Sequence, residues 1–307
     1  MSSIAAKSFE GSSISETNMN SDPQKPDDDL QPVLRRFDEE FGPKQDREPE
    51  PIYGEARPIP QPGYQLRLPL GRPRAVWVLL ALNIAIFVIP TLLQLVGVRV
   101  NGVPINDYLL YFGAKDNQGI KQRGEYYRFL TSMFLHGGLL HIGFNAWALY
   151  ALGPEAERIY GTARFLTIYF IAGLAGGVAS YALSPAPAVG ASGAIFGLIG
   201  TLAVFYYMSR ELLGGAARQQ FGSLITVIMI NLFIGFSSGG LIDNFAHLGG
   251  LAGGTLLGWL LAPRFAVDER IYPPQVVRRP LPWGWAGAIG FLALLVVMII
   301  VINPPIR

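Results

Sequence analysis

Seven apolar runs follow one another between residues 75 and 302, and no other feature of the 307-residue chain limits its fold so strongly. They cover residues 75–98, 141–153, 165–183, 192–208, 221–236, 245–261 and 285–302. A helix that crosses a bilayer needs roughly 17–25 predominantly apolar residues. A single run of this kind suits the buried helix of a soluble domain, but seven in series do not. The chain therefore reads as an all-α, polytopic membrane helix bundle whose surroundings are a lipid bilayer. The second run is short and the fifth marginal, so both need neighbours to cover them.

Composition sharpens this division. Half of the residues are hydrophobic and only 15% are charged, against about 25% in a typical soluble domain. The charges also cluster. Residues 1–70 hold "DPQKPDDDL" and "RFDEEFGPKQDREPEPIYGEARP", rich in acids and prolines and poor in large apolar side chains. Such a segment buries too little surface to offset its ordering entropy, so it is expected to be a disordered tail. It has no basic region followed by an apolar one and is not read as a cleavable signal peptide. The remaining expected units are a six-helix core over 71–262, a linker over 263–282, and a seventh membrane helix with a short tail over 283–307. A net charge of +2 gives no reason to expect nucleic acid, and the absence of cysteine excludes disulfides and thiolate metal sites.

Orientation follows from Lys and Arg in the short loops. With the tail in the cytoplasm, the loops on that side carry Arg158, Arg164, Arg210, Arg218, Arg264, Arg270, Arg278 and Arg279, whereas "SPAPAVGA" and "SSGGLIDN" on the other side carry none. The long first loop, 99–138, is the exception: it contains Arg99, Lys115, Lys121, Arg123 and Arg128 but is half apolar. It is expected to lie in the membrane interface. Seven spans then put the C-terminus outside.

Small and polar residues pick out three of the runs. Gly193 and Gly197 are four apart on the fourth, and Gly250, Gly254 and Gly258 repeat that spacing on the sixth. Such ridges let helix backbones approach closely in lipid. The three histidines of the chain, His136, His141 and His247, all lie at or within apolar segments, where ionisable side chains are costly and mark function. His141 and Asn145 share one helix face. Ser192, preceded by Gly190, stands one residue before the ridge of the fourth run, and His247 three residues before that of the sixth. If the ridges meet, Ser192 gains a base. A hydroxyl needs one within hydrogen-bond reach, about 2.6–3.2 Å, to become a nucleophile. Asp243 sits in a loop one turn from His247 and is not expected to orient it, so the pair reads as a Ser–His dyad. The Ser192 N–H at a helix N-terminus, with His141 and Asn145, would stabilise an oxyanion. Phe196 is placed to pack on the His247 ring.

"GASG" (190–193), "HGGLLHIGFN" (136–145) and "AHLGGLAGG" (246–254) resemble the three signatures of the rhomboid intramembrane serine proteases. The likeness extends over about residues 75–262, and the seventh run resembles the layout in which one helix follows the six-helix core. "GEYYRFLT" (124–131) resembles a first-loop segment that usually reads Trp-Arg, with Tyr127 in place of the tryptophan and Arg128 kept. The resemblance implies that Ser192 is the nucleophile, His247 the general base, and His141 and Asn145 oxyanion donors, with His136 a structural or water-binding neighbour. It implies transmembrane protein substrates, cut near their ends at small residues, with water entering from the outer face and the fifth span as gate. It implies no cofactor and no metal.

Other readings fit less well. Polar residues in membrane helices often serve packing alone, but that reading must explain why all three histidines fall into one pattern. An inactive rhomboid-like chaperone or scaffold typically lacks the serine or the histidine. A transporter needs acidic or basic relays inside the bundle, and a metalloprotease needs a His/carboxylate cluster. The expected location is the plasma membrane of a bacterium, with the N-terminus cytoplasmic.

Overall fold

The computed structural model describes residues 31–41, 70–239, 242–268, 270, 275–279 and 281–306. The chain divides into two units, residues 1–63 and 64–307. In the first, the described residues form one helix, α1 (Gln31–Phe41), in a segment expected to lack order. Leu34, the two arginines and the two glutamates favour a helix, and Pro32 falls in the first turn, where its missing N–H is harmless. The rest of that tail lies outside the described residues.

The second unit is a bundle of helices. α2 (Ala75–Leu95) leads into a two-residue hairpin, β1 (Arg99–Val100) with β2 (Val103–Pro104), and three short helices, α3 (Ile105–Gly113), α4 (Asn117–Arg123) and α5 (Arg128–Thr131). Then come α6 (Leu139–Tyr160), α7 (Thr162–Leu183), α8 (Ser192–Met208), the single turn α9 (Arg210–Leu213), α10 (Gly215–Ser237) and α11 (Asn244–Leu261). A hairpin of β3 (Arg264–Asp268) and β4 (Gln275–Arg279) precedes the last helix, α12 (Gly284–Val301). All seven apolar runs are helical. Among the described residues four helices, α2, α7, α10 and α12, are long and apolar enough to cross a membrane by length and composition. The other three, α6, α8 and α11, carry the polar residues singled out above.

Two elements differ from expectation. The second run continues past Gly153 and Pro154 to Tyr160. A Gly-Pro pair normally weakens a helix, but here tertiary contacts hold the extra turns. Tyr160, fully buried, donates its hydroxyl to the carbonyls of Thr201 and Gly258, each 3.1 Å away. Glu157, also fully buried, accepts from the N–H groups of Ala75 (3.0 Å) and Val76 (2.9 Å) and so caps α2. The stretch expected to be a plain linker holds the β3–β4 hairpin, whose Phe265 lies edge-on to Phe205 of α8 at 6.1 Å.

The core is where α7, α8 and α11 pack together. A Cβ on Gly250 would stand 2.0 Å from the Gly193 carbonyl, and one on Gly254 2.0 Å from that of Gly197. On the neighbouring face of α11, Gly249 and Gly253 lie against Ala175, with virtual Cβ distances of 2.7 and 2.8 Å. α11 thus presents one glycine edge to α8 and another to α7. Thr201 fastens the first seam by donating to Gly254 O at 2.9 Å and to Gly197 O at 2.8 Å. No larger residue fits where two helix backbones touch.

Candidate active site

Ser192 is the first residue of α8, half-buried, and its N–H is among the four that a helix leaves without an internal acceptor. The chain reaches it through Gly190, whose φ of +122° is one that side-chain-bearing residues rarely adopt. Gly190 is needed for space as well. A Cβ there would lie 2.6 Å from His141 Nε2 and 3.4 Å from Asn145 Nδ2. Those two side chains, one turn apart on α6, therefore converge on the backbone two residues ahead of Ser192.

The polarity of His141 is set by its other nitrogen. Gly137 N–H donates to Nδ1 at 3.4 Å, which leaves the ring proton on Nε2, the atom facing Gly190. Asn145 is buried, and its Nδ2 makes no hydrogen bond among the described residues. Two N–H donors and the Ser192 amide therefore border one small region. His136, buried beside them, sits edge-on to His141 at 5.2 Å and holds its Nδ1 at 3.2 Å from the Phe134 carbonyl, leaving Nε2 buried and unpartnered. Burial first, and the neighbouring His141 second, push His136 down to about 4, so its ring is neutral at physiological pH.

His247 lies in the first turns of α11, stacked on Phe196 with ring centres 4.2 Å apart and planes 10° from parallel. Phe196 is one turn after Ser192 on α8, so the imidazole lies over the opening turns of that helix. Its Nδ1 is buried without a hydrogen-bond partner among the described residues. Asp243 is committed elsewhere: one carboxylate oxygen caps α11 by accepting from Ala246 N–H at 3.0 Å, and the other accepts from the Ser180 hydroxyl of α7. Among the described residues no carboxylate is hydrogen-bonded to the ring, which stacks on Phe196. Among the described residues no hydrogen bond joins the Ser192 hydroxyl to His247. Nor does any group of three or more His, Asp or Glu side chains there suit a metal ion.

The first loop supplies Arg128, which the "GEYYRFLT" segment marks, and also Ser132 and Lys115, which no motif marks. Arg128, 1% exposed, donates to Glu125 (2.6 Å) and to the carbonyls of Tyr111 (2.9 Å) and Ala114 (2.8 Å), tying α3, α4 and α5 together. Tyr127 is 50% exposed, so the position that departs from the usual tryptophan faces outward. Ser132 O accepts from Gly190 N–H at 2.8 Å, and Lys115 pairs with Ala188 through both backbone bonds, at 2.9 and 3.0 Å. The backbone bonds of Ser132 and Lys115 carry no sequence signature, because their partners are main-chain groups far away in the chain.

An all-helical membrane protein with a serine at a glycine-lined helix start, and imidazole and amide side chains gathered beside it, defines a narrow class. The sequence profile of the Rhomboid domain matches residues 123–264. The chain is 41% identical over 185 residues to rhomboid protease GluP of Bacillus subtilis (strain 168), a match covering 60% of this chain and 34% of that protein. It is 37% identical over 151 residues to the putative rhomboid protease YdcA of the same organism, covering 48% of this chain and 72% of the relative. RHOMBOID-like protein 9, chloroplastic, of Arabidopsis thaliana is 33% identical over 166 residues, 54% of this chain and 38% of the relative. The chain belongs to the rhomboid family. It spans about a third of the length of GluP.

Proposed function

We propose that this rhomboid is an intramembrane serine endopeptidase that cuts transmembrane segments of other proteins. The observation that carries the reading is the convergence of His141 Nε2 and Asn145 Nδ2 on Gly190, beside a serine at a helix N-terminus. Ser192 Oγ attacks the scissile carbonyl carbon and passes its proton to His247. The carbonyl oxygen becomes an oxyanion, held by the Ser192 amide, His141 and Asn145. Collapse breaks the C–N bond, and the leaving amine takes the proton from His247. Water, deprotonated by the same imidazole, then hydrolyses the acyl-Ser192 ester and regenerates the hydroxyl. His136 is a supporting neighbour, and Gly193, Gly250 and Gly254 keep α8 and α11 close.

The site lies at the ends of α7, α8 and α11 opposite to the α2 start, where Arg158, Arg164, Arg210 and Arg218 gather. By the positive-inside rule that basic end is cytoplasmic and the site opens outward. The N-terminus is then inside, and with all seven helices spanning, the end of α12 is outside. Bacterial relatives favour a bacterial plasma membrane as the setting. Cleavage of a transmembrane reporter in proteoliposomes tests the activity. Wild type is expected to release product and Ser192→Ala none. Equal release by Ser192→Ala would remove Ser192 as the nucleophile, and no release from wild type would leave the protein an inactive member that binds membrane helices.

A further inference from the structure

The loop that delivers Ser192 is held by one buried lysine, and the same cluster of side chains also holds the segment after α12. Lys115 is 1% exposed. Its backbone pairs with Ala188, while its ammonium reaches the carbonyls of Ala186 (2.8 Å), Ser184 (3.2 Å) and Ser180 (3.4 Å) and the Asn117 amide oxygen (3.1 Å). Ser180 and Ser184 lie at the C-terminal end of α7, whose free carbonyls form the negative pole of the helix. A buried ammonium needs acceptors for all three of its N–H groups, and this loop and helix end supply them. Asn117 turns its NH2 group to the carbonyls of Ser184 (3.0 Å), Tyr181 (3.2 Å) and Pro305 (2.6 Å), the last of them beyond α12. Lys121 adds a bond to the Ile302 carbonyl at 3.2 Å.

These bonds form a continuous path. Pro305 is tied to Asn117, Asn117 to Lys115 and to the end of α7, and Lys115 to residues 184–188. Two residues further on, Gly190 meets His141 and Asn145. We propose that Lys115 and Asn117 are positioning residues that set the 184–191 loop, and that the segment after α12 completes this clamp. The seventh helix thereby acts on the active site from outside the six-helix core. The kinetic side of this proposal rests on the protease reading; the structural side does not.

The experiment uses the full chain in proteoliposomes, with Lys115→Met, Lys115→Arg, Asn117→Leu and a chain ended after Ile302. Two readouts are taken: hydrogen–deuterium exchange by peptide, and kcat and KM on the reporter. Lys115→Met is expected to raise exchange in residues 184–191 while α8 and α11 keep their protection. It is expected to lower kcat about 10²-fold with KM nearly unchanged, as misplacement of reacting groups does. Lys115→Arg should recover part of the rate. Asn117→Leu and the shortened chain should show the same loop exchange and a roughly tenfold loss of kcat, since a smaller displacement costs less. A shortened chain that matches wild type in both readouts overturns the proposal, as does Lys115→Met loosening the whole bundle evenly. If wild type cleaves nothing, the protease reading fails, and loop exchange alone decides the coupling.

Discussion

α8 and α10 are both apolar helices of similar length, yet they occupy opposite environments. Thirteen of the seventeen residues of α8 are buried, whereas in α10 only Ala217, Leu224, Ile228 and Gly235 are, out of 23. Glycine placement accounts for much of the difference. Gly193, Gly197 and Gly200 let α8 sit within backbone contact of α7 and α11, while Gly222 of α10 meets nothing within 4 Å. Lipid tails are as apolar as leucine, so exposure alone drives no packing inside a bilayer. Close approach has to come from shape, and the helices with that shape are the ones that carry Ser192 and His247.

The strongest way to break this contrast is to put the same side chain on each helix. Gly254→Val drives a branched group into the Gly197 backbone. It should abolish reporter cleavage and lower the thermal midpoint by roughly 5 °C or more, since overpacking costs typically 1–3 kcal/mol. Gly222→Val on α10 should leave both unchanged. Equal behaviour of the two variants would dissolve the distinction.

Gly190→Ala probes the same close packing at the site itself. Its Cβ must both accept a positive φ and displace His141 Nε2. Turnover should fall about 10²-fold or more with the midpoint changing less than in Gly254→Val. Asn145→Ala, which removes one donor and adds no bulk, should cost about 10² in kcat with KM close to wild type. A normal kcat would remove Asn145 from the site.

A smaller effect separates α12 from the core. Gly287 belongs to α12, not to the α8–α11 seam. It nevertheless packs on α11, because a Cβ there would stand 2.7 Å from Leu260 Cδ2, whereas Gly290 meets nothing within 4 Å. Gly287→Val should therefore lower the midpoint slightly, by displacing a flexible side chain, and Gly290→Val should not. Differential scanning fluorimetry of the pair decides this.

How much of this was readable beforehand depends on what holds each part. Helix positions were readable from apolar run length, and the bounds of α8 coincide with the fourth run, between "GASG" and the polar Ser209-Arg210. The glycine edge between α8 and α11 was readable because a four-residue spacing places Gly250 and Gly254 on one helix face, whereas the Gly249–Gly253 edge toward α7 was not singled out. The last turns of α6 were not, since their support comes from Tyr160 and Glu157 reaching other helices across Gly153-Pro154. The β3–β4 hairpin lacks an alternating pattern strong enough to announce it. The Lys115 clamp was invisible for a further reason: a lysine in a loop reads as a solvated charge, and its carbonyl acceptors lie 65 to 71 residues away.

The first loop offers the mildest test, since charge holds it where glycine holds the core. Arg123 donates to Glu125 through two bonds and Arg128 through a third, and these hold the Glu125 carboxyl down at about 2. A depressed carboxyl stabilises the fold above its ordinary value near 4.5 and stops doing so as pH falls from there toward 2. The midpoint should drop across that window, and Glu125→Gln should flatten the drop. The pairs are partly open to solvent, so the change should be small.

We infer that His247 activates Ser192 across the glycine seam between α8 and α11. A fluorophosphonate probe tests it without a substrate: the membrane-embedded protein is labelled and the adduct located by peptide mass spectrometry. Wild type is expected to carry one adduct, on Ser192, and His247→Ala none at an unchanged thermal midpoint. An adduct on another residue, or equal labelling of Ser192 without His247, would contradict it.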